Sequence, residues 1–121
     1  MNNNEIALEI IKKSHNGLTA YEVLGKFNIR KKVQPMTVYR SLKKLEELGK
    51  IHKSNHNKKY ILCNHSHNKK HNTNIALCKK CGDTKELKCG IFYSILKKYV
   101  SKKFNFNTYD LEITTTCREC N

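Results

Sequence analysis

An α+β fold is predicted for this chain of 121 residues: three short helices and a strand hairpin, then a small unit of strands and one helix clasped by cysteines. Three observations carry that expectation. Apolar residues in the first half recur at helical spacing and are punctuated by capping and stop signals. Short alternating segments follow, bounded by polar turns. Two CxxC pairs, Cys78-Lys-Lys-Cys81 and Cys117-Arg-Glu-Cys120, stand 35 residues apart and supply the closed Cys₄ shell that a structural Zn²⁺ prefers.

Ile6, Ile10 and Ile11, with Leu8, form a short helical pattern that ends near Ser14-His15-Asn16-Gly17. Thr19-Ala-Tyr-Glu22 has the form of a capping box, so a second helix is expected through Val23, Leu24 and Phe27. Arg30-Lys31-Lys32 reads as a basic loop, and Pro35 suits the first residue of a third helix. Val38, Leu42, Leu45 and Leu48 give that helix an apolar stripe, and Gly49 stops it. Its opposite face carries Tyr39, Arg40, Lys43 and Lys44. Lys50 to Lys53 and Lys59 to Leu62 read as strands joined by a polar turn over Ser54 to Lys58. This is the layout of a winged helix-turn-helix domain, expected over residues 1–62, whose third helix enters the major groove.

Residues 63–74 are expected to form a connector, since Asn64 to Asn74 is rich in His, Asn and Lys and has no apolar content. Residues 75–121 form the second unit. Ile75 to Cys78 and Thr84 to Leu87 are strand candidates flanking the first CxxC. Phe92, Ile95, Leu96, Tyr99 and Val100 make an amphipathic helix, and Tyr109, Leu111 and Ile113 alternate as a strand leading to Cys117.

The formal net charge is +14. Residues 1–62 carry 13 Lys/Arg against 5 Asp/Glu and residues 63–121 carry 11 against 5, so basicity is spread over both halves. That balance favours a polyanionic partner. The start of the chain lacks a basic n-region and an apolar h-region, and no apolar run approaches the ~20 residues needed to span a bilayer. With cysteines used as thiolates, a reducing, cytoplasmic compartment is expected, with no membrane partner and no small-molecule substrate.

A second metal site is suggested by Cys63, which ends the hairpin, by the five histidines between His52 and His71, and by Glu86. Together they offer thiolate, imidazole and carboxylate donors, and spacing alone does not choose among them. Arg40 suits bidentate guanine contacts, while lysines and tyrosines position a helix on phosphate. The candidate DNA contacts are Tyr39, Arg40, Lys43 and Lys44, with Thr37 at the start of the third helix and Tyr21 at the start of the second.

Ala20-Tyr-Glu-Val-Leu24, Thr37-Val-Tyr-Arg40, Tyr60-Ile-Leu-Cys63, Leu77-Cys-Lys-Lys-Cys-Gly82 and the final Cys117/Cys120 pair follow one another in an order that resembles the ferric uptake regulator family. Within it the chain is similar to the zinc uptake regulator (Zur) branch. The resemblance implies a homodimeric, metal-activated repressor with a winged-helix domain and an α/β dimerisation domain, bound to a double-stranded DNA operator and not an enzyme. It also implies two Zn²⁺ per chain. Cys78, Cys81, Cys117 and Cys120 would hold a structural ion, and His52, Cys63, His71 and Glu86 a regulatory one. The run Asn72 to Ala76 lacks the histidines and aspartate that the iron-sensing branch carries there, and a thiolate at Cys63 suits Zn²⁺ over Fe²⁺. The extra N-terminal helix of many family members is expected to be missing. Thr108 stands where many relatives have a further ligand; Cys89 matches no ligand position and is expected to be buried and apolar, while His65 and His67 in the connector are expected to be exposed, with spare ligands as the alternative. A sensor of iron, manganese or peroxide, and a zinc-stapled RNA-binding protein, are the rival readings.

Overall fold

The computed structural model describes residues 2–63, 72–87, 89–98, 103–106 and 109–121, except for the side chains of 89–91 and 93. Helix α1 (Asn3–Lys12) opens on a capping box that sequence reading missed: the Asn2 side chain accepts from the Glu5 amide at 2.9 Å, and Glu5 accepts in return from the Asn2 amide at 3.4 Å. A two-residue strand, β1 (Leu18–Thr19), leads into α2 (Ala20–Arg30). The predicted Thr19/Glu22 box is present, with bonds of 3.2 and 2.9 Å. Helix α3 (Pro35–Glu47) begins at Pro35 as expected, and Gly49 ends its turn at φ +73°. Arg30 is not a loop residue. It closes α2, and its guanidinium lies 2.9 Å from the Glu9 carboxylate of α1.

Strands β2 (Ile51–Lys53) and β3 (Lys59–Leu62) form the hairpin, and β1 joins β3 to make a three-stranded antiparallel sheet in the order β1-β3-β2. The three helices and this sheet share one apolar core. Val23, Phe27, Val38, Leu42 and Ile51 are at most 1% exposed within it. Leu48 falls just outside α3 and is half-buried.

The second sheet has the order β5-β4-β6, from β4 (Thr73–Cys78), β5 (Thr84–Glu86) and β6 (Asp110–Thr115), with α4 (Cys89–Lys98) packed on β4. Strand β4 starts at Thr73, two residues before the predicted Ile75. It pairs antiparallel with β5 and parallel with β6, a connection that requires a crossover, supplied here by the segment containing α4. Tyr99 and Val100, assigned to the helix by periodicity, lie outside the described residues. Strand β3 touches β5, so the hairpin rests against the second sheet. Among the described residues no helix is long and apolar enough to cross a membrane.

Candidate metal centres

The parallel register of β4 and β6 sets Cys78 opposite Thr115, which brings the end of the last strand beside the first CxxC turn. That turn is tight. The Cys78 amide donates to the Asp83 carbonyl, the Gly82 amide donates to the Cys78 carbonyl, and Gly82 sits at φ +79°, where a side chain would be strained. Cys78, Cys81, Cys117 and Cys120 converge so that their sulfurs all lie within 4.8 Å of one another. Cys81 Sγ and Cys117 Sγ are 3.8 Å apart. Sulfurs held at ~2.3 Å from one tetrahedral ion are spaced by about 3.8 Å, whereas a disulfide needs ~2.05 Å. The donor set and its spacing fit a metal.

The electrostatics of Cys78, Cys81 and Cys120 point the same way. The backbone N–H groups of Cys117 (3.3 Å) and Cys81 (3.5 Å) donate to Cys78 Sγ and pull its pKa down to about 6. Cys120 is pushed up to about 12 by its hydrogen bonds to Cys117 and Cys81 and by burial. At Cys81 the Asp83 amide lowers the pKa, but the contact with Cys78, burial and Cys117 together raise it on balance. One proton leaves readily, and further charge in the cluster is resisted until a cation offsets it.

The second cluster joins the hairpin to β5. His52 on β2, Cys63 just after β3 and Glu86 at the end of β5 bring one donor atom each within 4.8 Å of the others. His52 Nε2 and Glu86 Oε2 are 2.5 Å apart, and both side chains are buried. Alternation along β2 and β3 explains part of this placement: Ile51 faces the apolar core shared with the helices, and His52, the next residue, falls on the opposite face of the sheet beside its ladder partner Ile61. Cys63 is held in position by its amide, which donates to the Lys50 carbonyl. Thr73 Oγ1 lies 3.4 Å from His52 Nδ1, the ring nitrogen facing away from Glu86, and so orients the imidazole. Thr73 was not singled out in the sequence, because only tertiary pairing brings it to His52. Thiolate, imidazole and carboxylate facing a common point fit a borderline-soft ion. His71, the fourth predicted ligand, lies outside the described residues, as do His65, His67 and Thr108. Cys89 begins α4.

The predicted DNA-facing residues lie on α2 and α3. Tyr21 in the first turn of α2 is 80% exposed and Tyr39 on α3 is 44% exposed. Arg40, Lys43 and Lys44 are exposed on α3, while Thr37 is half-buried. Ile29 and Met36 are also exposed.

The family model described as "Ferric uptake regulator family" matches residues 3–115. The chain belongs to this family. Its members are regulators, not enzymes. The chain is similar to the zinc uptake regulation proteins of Escherichia coli (strain K12) and Shigella flexneri, each 30% identical over 80 residues that cover 65% of this chain and 47% of the relative. The matched stretch thus spans about half the length of these relatives. Among solved structures, a zinc uptake regulator in complex with zinc and DNA superposes with a TM-score of 0.85 at 24% identity, covering 99% of this chain and 81% of that one. The crystal structure of holo XcZur gives 0.82 at 24% identity, covering 99% and 84%. These likenesses establish the family fold, a winged-helix unit followed by a small α/β unit.

Proposed function

We propose that this ferric uptake regulator family member is a zinc-responsive transcriptional repressor that acts as a cytoplasmic homodimer on the operators of zinc-uptake genes. The observation that carries this reading is the second cluster. His52 and Cys63 belong to the winged unit and Glu86 to the dimerisation unit, yet their donor atoms lie within 4.8 Å of one another. A ligand set drawn from both units makes their relative orientation depend on metal. His71 is proposed as the fourth ligand.

When bound, zinc would supply only a charge and a tetrahedral preference there, and elsewhere it would staple the four cysteines. The protein does the rest. His52 and Cys63 hold the hairpin, Glu86 holds β5, and the domain orientation that results sets the distance between the recognition helices of a dimer. Successive major grooves lie ~34–36 Å apart, so only a narrow range of orientations presents both helices to one face of DNA. Tyr39, Arg40, Lys43 and Lys44 would then meet bases and phosphates, with Thr37 and Tyr21 alongside. The similarity to proteins named for zinc uptake regulation, and the thiolate in the cluster, support zinc over iron.

The test is a pair of substitutions read on a DNA duplex selected from random sequence in the presence of zinc. Cys63→Ser is expected to abolish zinc-dependent binding while the protein stays folded and dimeric, with zinc content falling from two per chain to one. Cys78→Ser is expected to unfold the dimerisation unit, because the free energy of structural zinc binding is folding free energy. Retention of full zinc-dependent affinity by Cys63→Ser would exclude the assignment.

A further inference from the structure

The tip of the hairpin is docked on the turn that carries the first CxxC pair. Asn57 Nδ2 donates to Thr84 Oγ1 at 2.9 Å, and Thr84 Oγ1 donates in turn to the Gly82 carbonyl at 2.9 Å. Lys59 Nζ reaches the same Gly82 carbonyl at 3.3 Å. A Cβ on Gly82 would stand only 3.1 Å from that ammonium, so glycine leaves room for the approach. The Asn55 amide donates to Glu112 of β6 at 2.6 Å. Asn57 is itself oriented, since its Oδ1 accepts from the Lys59 amide at 3.1 Å. Thr84 is 1% exposed.

Thr84 and Glu86 are alternate residues of β5 and therefore point to one face of the strand. That face meets the hairpin twice, through Thr84 with Asn57 and through Glu86 with His52. We infer that Asn57 and Thr84 form an interdomain latch, as positioning residues that favour the closed orientation before the regulatory ligands are engaged. The inference rests on the proposed regulatory role of His52, Cys63 and Glu86. The latch contributes to metal affinity without touching metal. A group that stabilises the closed orientation raises the competent fraction, and the apparent affinity of any ligand selecting that orientation rises in proportion.

The latch also joins the two metal centres. Gly82 follows Cys81 in the knuckle turn and Thr84 opens β5 just after it, so the shape of the Cys₄ knuckle is passed directly to the hairpin that carries His52.

The experiment compares Thr84→Val, Thr84→Ser and Asn57→Ala in the full chain with its Cys₄ metal in place. Zinc is titrated against a chromophoric chelator, and amide exchange is followed at Asn55, a group that none of these substitutions touches. A single net hydrogen bond corresponds to about threefold to tenfold in an equilibrium. Thr84→Val and Asn57→Ala are each expected to weaken regulatory zinc binding by that factor and to speed Asn55 exchange similarly. The double variant should be no worse than either single one. Thr84→Ser keeps the hydroxyl and should stay near wild type. Zinc affinity and Asn55 exchange within twofold of wild type in both Thr84→Val and Asn57→Ala would overturn the latch. So would a lowered thermal midpoint with zinc affinity unchanged. If wild type takes up no second zinc, the functional reading fails, and the Asn55 exchange alone decides for or against the latch.

Discussion

Glu9 shows how much a single surface carboxylate can organise. It receives Arg30 from α2 at 2.9 Å and Lys13 from its own helix at 3.0 Å. The hydrogen bonds from Arg30 and Lys13 hold its pKa down, at about 2 against an ordinary 4.5. A folded pKa below the unfolded one means that the contribution is complete above the ordinary value and disappears as pH falls toward the folded value. Thermal midpoints of wild type and Glu9→Gln are therefore expected to differ near neutral pH, with the variant lower, and to converge as pH drops from about 4.5 to about 2. Melting curves across that range check it. In the sequence Arg30 reads as part of a basic loop, because its partner is 21 residues away and no local pattern announces the pair. By contrast the four cysteines were legible, since CxxC fixes two ligands on one turn whatever the rest of the chain does. Spacing alone identified Cys63, His52 and Glu86 only as donor types; the family resemblance singled them out, and the fold brings their donor atoms within 4.8 Å of one another.

At the scale of elements, local signals were decisive wherever chemistry is short-range. Thr19 and Glu22 start α2, and Pro35 starts α3. The equivalent box at Asn2 and Glu5 was missed because Asn2, Asn3 and Asn4 are interchangeable as cap candidates. Strand β1 was missed for another reason: two residues carry no periodicity, and Leu18 and Thr19 become a strand only by pairing with Tyr60 and Lys59. Substituting Thr19 by Ala removes the side-chain acceptor for the Glu22 amide and is expected to cost about 1 kcal/mol, measured by denaturant unfolding. The reciprocal bond leaves a trace on Glu22, whose pKa is lowered chiefly by the Thr19 backbone amide.

For the whole molecule, the helical unit and the second sheet are expected to depend on metal to different degrees. The first has a contiguous core built from three helices and a hairpin. The second buries few large side chains among its described residues, Ile75 and Leu77 chief among them, and a metal held by its four converging cysteines would add the stabilisation that so small a core lacks. Strong chelation is accordingly expected to strip amide protection from β4, β5 and β6 while α2 and α3 stay protected, as hydrogen exchange would register. The docking of the hairpin on the second sheet was invisible in the sequence, because Asn55 and Glu112 meet across 57 residues with nothing in either segment to mark the other.

The parallel pairing of β4 with β6 carries a consequence for the order of events during folding. The Cys78/Cys81 turn is local and can capture an ion while the chain is still largely open. Cys117 and Cys120 arrive only once the crossover is complete and Thr115 lies beside Cys78. Closing that long loop is the entropically costly step, and non-local, parallel pairing makes it slow. The two cysteine pairs can meet only after the strands dock, so maturation of a metal-bound form is expected to be limited by strand docking and not by the supply of metal.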